Sequence, residues 1–176
     1  VYEIYVNGTL RTTTEDTAYL ITDLQPDTEY EIKVVAVHDG EALSSATAYY
    51  STRSLPSGDV IEYAEPALEQ AVKNSLGIGD RKVYQSDMEY LWFVEASYLE
   101  LKDLSGLEHA TNLEYLYLDG NEISDLTPLS SLDSLMDLTL RNNQVTDLSP
   151  LASLNLNWLD LENNPISSIS VLLTLE

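Results

Sequence analysis

The chain has 176 residues, 44% of them hydrophobic, and its 30 acidic and 8 basic side chains give a formal net charge of −22. This length can bury one large core or two small ones, and the apolar fraction is too high for a disordered chain. The charge disfavours nucleic acid and anionic lipid as partners. Cysteine is absent, which excludes disulfides and thiolate catalysis, and no apolar run is long enough for a transmembrane helix.

Residues 1–53 form short Thr- and Tyr-rich runs of alternating polarity, which predict a meander of β-strands. The expected strands are VYEIYV, LRTTT, AYLIT, YEIKVVAV and ATAYYSTR. Asn7 and Gly8 suit a two-residue hairpin because both positions of a type I′ turn require positive φ. Two of the strands place apolar side chains on one face, namely Tyr2, Ile4 and Val6, and Tyr30, Ile32, Val34 and Ala36.

The run DLQPDTEYEIKVVAV resembles the fibronectin type III family through Leu24, Pro26, Thr28 and Tyr30. The resemblance implies a corner hydrogen bond made by the Tyr30 hydroxyl. It begins at the third of the seven strands of that family, so we expect residues 1–55 to be the C-terminal part of a sandwich domain. We also expect the chain to be a piece of a longer protein.

Residues 56–90 are expected to form a linker followed by a helical cap. Ser, Pro and Gly between residues 54 and 60 are typical of a linker. Pro66 fits the first turn of a helix, Gly77 fits its end, and an apolar face between them is formed by Leu68, Ala71, Val72 and Leu76. The capping-box spacing of Ser86 and Glu89 predicts the start of a second helix.

A leucine pattern dominates residues 91–176. The central positions Val94, Leu116, Leu138 and Leu159 recur at 22, 22 and 21 residues, a period that predicts a leucine-rich-repeat solenoid of about four repeats. Asparagine recurs at 121, 143 and 164, where a buried amide can bond backbone groups that the turning chain leaves unpaired. Pro128 and Pro150 indicate short helical turns on the return path.

The period, the phrase Asn-x-Ile-x-Asp-Leu-x-Pro-Leu and the preceding helix resemble the internalin-type leucine-rich repeats of bacterial surface proteins. This resemblance implies a secreted or cell-surface protein that binds a macromolecule on its concave sheet. The expected fold is therefore multi-domain: a partial all-β fibronectin type III sandwich, a helical cap, and a parallel-sheet solenoid with short helical returns. We expect the C-terminal closing cap to be missing, since the repeats continue to Glu176.

The strand residues that flank each central leucine point away from the core. Large aromatic side chains there are not required by the leucine core, so Tyr115, Tyr117 and Trp158 are interpreted as a recognition surface. Phe93 occupies an equivalent position beside the cap, which we expect to cover it. The charged candidates on the same predicted binding face are Glu95, Asp137, Asp160 and Arg141.

We expect a non-catalytic region for protein binding or adhesion, and the surface acids favour a basic protein ligand. The alternative is an accessory or spacer region of a larger secreted enzyme, which binds cell-wall or host carbohydrate through the same aromatic residues. Catalysis is disfavoured because His38 and His109 lie in different predicted domains and neither is near a nucleophile pattern. No cofactor or metal is expected, since no segment matches an Asp-x-Asp-x-Asp-Gly calcium loop.

Overall fold

A computed structural model of the chain describes residues 1–171. The chain divides into two compact units, Val1–Leu55 and Pro56–Glu176. The first unit is a four-stranded antiparallel sheet with the order β2-β1-β3-β4. Its strands are β1 (Tyr2–Val6), β2 (Thr9–Thr14), β3 (Glu29–His38) and β4 (Glu41–Ser51).

Two tight turns determine the hairpins of this sheet. Asn7 and Gly8 have φ of 49° and 75°, which confirms the predicted hairpin between β1 and β2. Asp39 and Gly40, at 50° and 82°, join β3 to β4 in the same way. The hydroxyl oxygen of Tyr30 accepts the backbone N–H of Gln25 at 2.8 Å, so the expected corner hydrogen bond is present.

One predicted strand is wrong. Residues 18–22 (AYLIT) form no strand, although Ile21 lies against the apolar face of the sheet. Together with Ile4, Ile32 and Val34, this side chain lines an open groove of about 350 Å³. Because the segment crosses the face instead of running beside an edge, its backbone meets no strand in the described chain with which it could pair.

The second unit begins with two helices. Helix α1 (Pro66–Leu76) starts at the predicted proline, and Gly77 ends it with φ of 65° in the left-handed region. Its buried face is the predicted one, formed by Leu68, Ala71, Val72 and Leu76. Within the described part of the chain, no helix has the length and apolar character needed to cross a membrane.

Helix α2 (Gln85–Met88) starts earlier than predicted, so the capping box of Ser86 and Glu89 is wrong. Asp87 is the third residue of α2, and its carboxylate accepts the backbone N–H of the N-cap residue Tyr84 at 2.8 Å. Arg81 holds this buried carboxylate in a bidentate ion pair at 2.6 and 2.7 Å. The Ser86 hydroxyl is used elsewhere, since it accepts the N–H of Ser57 at 2.8 Å.

A parallel sheet with the order β5-β6-β7-β8 follows. Its strands are β5 (Phe93–Glu95), β6 (Tyr115–Tyr117), β7 (Asp137–Thr139) and β8 (Trp158–Asp160). The register pairs the four predicted central positions laterally, which confirms the repeat period. The return paths carry short 3-10 helices at Leu107–His109, Thr127–Leu129 and Ser149–Leu151. Residues 172–176, and with them the expected absence of a closing cap, lie outside the described residues.

The predicted asparagine ladder is also confirmed. The Asn143 side chain accepts the N–H of Ile123 at 3.0 Å and donates to the carbonyls of Leu118 at 2.9 Å and Leu140 at 3.1 Å. These groups belong to two successive repeats, so a single amide joins them. Asn121 and Asn164 make equivalent bonds. Inside the ladder the core leucines are buried up to Leu154, whereas Leu159 and Leu161 are partly buried.

Candidate ligand-binding face

Each strand of the parallel sheet has three residues, of which the central one points into the leucine core and the outer two point away. The register arranges the outward residues in two lateral rows, which we call the open sheet face. One row is Phe93, Tyr115, Asp137 and Trp158, and the other is Glu95, Tyr117, Thr139 and Asp160. The repeat period therefore determines which side chains are neighbours.

Four aromatic side chains at the first two strands are in ring contact, and we call them the aromatic cluster: Trp92, Phe93, Tyr115 and Tyr117. The ring centroids of Phe93 and Tyr117 are 5.7 Å apart at 80°, and those of Trp92 and Tyr115 are 6.1 Å apart at 89°. Trp92 and Phe93 are 5.9 Å apart. The structure thus brings together three of the four aromatic residues that the sequence placed on this face.

The sequence analysis missed Trp92, whose surface is 59% exposed. It directly precedes β5, at the position that Glu114 and Met136 occupy in the next two repeats. Strand alternation assigns position 92 to the same side as the core residue Val94, so the spacing of the repeats gave no signal for its exposure. Phe93 is half-buried, and its ring contacts both Trp92 and Tyr117.

Trp158 stands apart from the aromatic cluster. Its surface is 58% exposed, and Asp137 lies between it and Tyr115 in the lateral row. Among the described residues, no ring contact links Trp158 to another aromatic side chain. The open sheet face therefore carries a group of four rings at one end and a single indole at the other.

Arg141, predicted as a ligand-binding cation, is bound within the chain. Its guanidinium contacts Asp160 at 2.6 Å and Glu162 at 3.4 Å, and its backbone N–H donates to Asp119 at 2.8 Å. The hydrogen bond to Asp160 raises the pKa of Arg141. The backbone N–H of Glu162, and then the Arg141 side chain, lower the pKa of Asp160.

The acids near the aromatic cluster have no such compensation. In the described chain, Glu95 and Asp137 form no ion pair with a basic side chain. Glu95 lies beside Tyr117, and Asp137 lies beside Tyr115. The Glu95 carboxylate accepts the N–H of Ser97 at 3.0 Å. Of the acids on the open sheet face, Asp160 is therefore compensated, whereas Glu95 and Asp137 are not, and Asp137 lies between Tyr115 and Trp158.

The described residues contain no group of three or more His, Asp or Glu side chains that could hold a metal ion. The two histidines lie in different units, each nearest to an adjacent acid, with His38 at 3.5 Å from Asp39 and His109 at 3.8 Å from Glu108. What the open sheet face offers chemically is aromatic contact area and negative charge.

Residues 111–153 match the family of leucine-rich repeats in two copies. An internalin, InlF from Listeria monocytogenes, is 34% identical with a TM-score of 0.60, over 62% of this chain and 33% of that one. The functional domain of InlJ from the same species is 21% identical with a TM-score of 0.52, over 66% and 27%. The CBM51-2 and INT domains of ZmpB from Clostridium perfringens are 34% identical with a TM-score of 0.46, over 51% and 19%.

No curated protein sequence matches the chain. The chain spans about a third of the length of InlF. Four findings indicate leucine-rich repeats: the repeat period, the lateral register of the strands, the asparagine ladder and the similarity to InlF. The chain contains leucine-rich repeats, and these repeats are similar to those of the internalin InlF.

Proposed function

We propose that the chain is a non-catalytic protein-binding region, of the kind used in adhesion, whose ligand lies on the open sheet face. The observation that carries this proposal is the aromatic cluster, in which Trp92 is exposed and the two tyrosines of β6 are half-buried on a surface that the leucine core does not use. Contiguous exposed aromatic patches are typical of interaction sites, and aromatic side chains often dominate binding energy.

The charge distribution supports a basic partner. Glu95 and Asp137 are uncompensated neighbours of Tyr117 and Tyr115, whereas Asp160 is already paired with Arg141. Lysine or arginine side chains on a ligand would complement the first two acids and would speed association at low salt. We expect the aromatic rings to provide most of the binding affinity and the acids to increase the association rate of a basic ligand.

The area of the face limits its affinity. Four strands of three residues each, about 4.8 Å apart with a rise of about 3.3 Å per residue, present roughly 200 Å². A standard interface takes about 800 Å² from each partner. The described face would therefore supply part of a binding surface and bind weakly alone.

The proposal includes the setting of this region. As the resemblance to internalin-type repeats implies, the protein acts outside the cell or on a bacterial surface. The strand order β2-β1-β3-β4 and the corner hydrogen bond of Tyr30 support a fibronectin type III identity for the first unit. Helix α1 packs beside β5, and its buried Leu68 and Val72 join the core of the repeats, which supports a capping role.

Capture from host and cell-wall extracts tests the proposal. The wild-type chain should retain a ligand that a Trp92→Ala, Tyr115→Ala, Tyr117→Ala variant does not retain. Tyr98→Ala is the matched control, since Tyr98 is exposed but lies outside the rows of the open sheet face. Protease treatment of the extract should abolish capture. If capture survives protease but is lost after glycosidase treatment, the ligand is a carbohydrate and not a protein. This result would favour the alternative function, a carbohydrate-binding accessory region of a larger enzyme.

A further inference from the structure

Strand β4 is an edge strand of eleven residues, Glu41–Ser51, and it is exposed along its length except for the half-buried Ala48. It pairs with β3 on one side only. The other side presents its backbone N–H and carbonyl groups without a partner strand in the described chain. A long edge of this kind is a template for pairing with another strand.

The hydrogen-bond alternation shows which residues of β4 present these groups. The N–H of Asn7 donates to the carbonyl of Glu31, so odd-numbered residues of β3 bond to β1. The N–H of Thr52 donates to the carbonyl of Thr28, so even-numbered residues bond across the β3 and β4 pair. In an antiparallel sheet, successive residues of a strand direct their backbone hydrogen bonds alternately to one side and to the other. The residues of β4 whose backbone groups point outward are therefore Ser45, Thr47 and Tyr49.

The two edges of this sheet differ in their protection. At the opposite edge, β2 carries Arg11, and a register shift interrupts its pairing with β1 between Ile4 and Tyr5. Charged side chains and bulges are the usual means by which proteins block edge pairing. After Glu41, strand β4 contains no charged residue and no proline, and its register shift lies near its start.

The sequence of β4 is self-complementary about Ala46. If two copies run antiparallel with Ala46 opposite Ala46, small side chains meet small ones, and each Leu43 meets the Tyr49 of the other copy. In this register, each residue whose backbone N–H and carbonyl groups point outward lies opposite such a residue of the other copy. This is the condition for hydrogen-bonded pairs. The two pairs of Ser45 with Thr47 alone would form about four hydrogen bonds. Leu43 and Tyr49, 69% and 64% exposed, would cover each other.

We propose that β4 is a self-association edge, through which two copies of this chain join their sheets by antiparallel pairing of β4 with β4 about Ala46. The surface is distinct from the open sheet face, and the inference is independent of the function proposed for that face. The pairing uses residues of the first unit alone, and a pair of copies carries two open sheet faces, which would raise the avidity for a multivalent ligand that reaches both.

Charge sets the salt dependence of this pairing. Each copy has a net charge of −22, and the single charged residue of β4 is Glu41 at its end. Repulsion between copies opposes association, while the paired strands contribute no attraction between charges. Added salt screens the repulsion, so self-association should strengthen with ionic strength. Binding of a basic ligand to the open sheet face should respond in the opposite direction.

Sedimentation velocity over a concentration series, at low and high salt, tests the pairing with two variants of the full chain. Thr47→Pro removes an outward N–H without removing a bond to β3, so this variant should remain a monomer. Thr47→Val retains the N–H and should dimerise as the wild type does. Circular dichroism checks that the proline variant is folded. A wild type that stays monomeric up to millimolar concentration, or a proline variant that dimerises equally, would overturn the proposal.

Amide hydrogen exchange of the wild type gives a test that needs no variant. The N–H groups of Ser45, Thr47 and Tyr49 should exchange quickly in dilute protein and become protected as the concentration rises. Those of Ser44, Ala46 and Ala48, already bonded to β3, should be protected throughout. Dimerisation without added protection at the odd-numbered positions would show a different interface and reject β4.

Discussion

The indole of Trp92 stands perpendicular to the ring of Tyr115, with 6.1 Å between the centroids and 89° between the planes. This edge-to-face geometry stabilises an aromatic pair by about 0.5–1.5 kcal/mol beyond area burial. The carbonyl of Trp92 also accepts the N–H of Tyr115 at 3.1 Å. Two contacts thus link the residue before β5 to β6 and hold both rings in place before a ligand arrives, which lowers the entropy cost of binding.

Leu138→Ala should lower the free energy of unfolding by about 2–5 kcal/mol, because Leu138 is fully buried between the central leucines of β6 and β8. Met136→Ala in the same repeat is the control, since Met136 is 38% exposed and should cost less than about 1 kcal/mol. Denaturant melts measure both. A loss below about 0.5 kcal/mol for Leu138→Ala would contradict the repeat assignment.

Asn143→Ala should cost about 1–3 kcal/mol for each buried backbone group that it leaves unpaired. The amide joins Ile123 to the carbonyls of Leu118 and Leu140, so the loss affects two repeats at once. Asn157→Ala removes an exposed amide from the next repeat and should melt like the wild type. Equal melting of the two variants would mean that the ladder does not stabilise the solenoid.

Acid should destabilise the return paths. Hydrogen bonds from Thr127, chiefly its side chain, lower the pKa of Asp125, and bonds from Ser149, chiefly its backbone N–H, lower that of Asp147. Asp103 shows the same lowered pKa, through the Ser105 side chain, one repeat earlier. A carboxylate whose pKa is lower in the folded than in the unfolded state stabilises the fold. This stabilisation is fully present above the pKa of the unfolded state and is lost as the pH falls through the pKa of the folded state. Stability should therefore decline below about pH 4.

Carboxyl titration by NMR measures these shifts directly. The carboxylates of Asp103, Asp125 and Asp147 should titrate below the ordinary aspartate value. An Asp125→Asn variant keeps an oxygen that can accept the N–H of Thr127 but cannot be protonated, so its stability should fall less on acidification. A variant that loses as much stability as the wild type between pH 7 and pH 3 would show that this carboxylate does not contribute.

Residues 1–55 expressed alone should aggregate or remain disordered. The apolar face formed by Tyr2, Ile4, Ile32 and Val34 is covered only in part by the segment around Ile21, and the groove between them is open. A sheet with one open apolar face and two edges has few ways to stay soluble alone. Dispersed amide resonances from a soluble monomer would contradict this expectation.

The repeats could be predicted from the sequence because the residues that define them recur at a regular spacing. A leucine every 22 or 21 residues and an asparagine five residues later determine the register of the whole parallel sheet, and this register places Tyr115 beside Asp137. Helix α1 could be predicted for a similar reason. Pro66 suits the first turn of a helix, and Gly77 adopts the left-handed conformation that ends it. In both cases the signal is contained in local spacing.

The errors arose where distant partners decide the structure. Residues 18–22 have the composition of a strand, yet a strand requires a neighbour and none is present in the described chain. Asp87 caps α2 because Arg81 holds it, an ion pair that spacing alone does not reveal. The pairing of Arg141 with Asp160 and the ring contacts of Trp92 likewise depend on side-chain conformations across strands.

The most direct test of the binding face is calorimetric titration of the captured ligand against the wild type and two variants. Replacing Trp92, Tyr115 and Tyr117 by alanine should lower affinity at least tenfold, about 1.4 kcal/mol, while the variant melts nearly like the wild type. Trp158→Ala should cost less, because Trp158 lies outside the aromatic cluster. If the triple variant binds undiminished, or unfolds, the rings belong to the scaffold and the open sheet face is not the binding site.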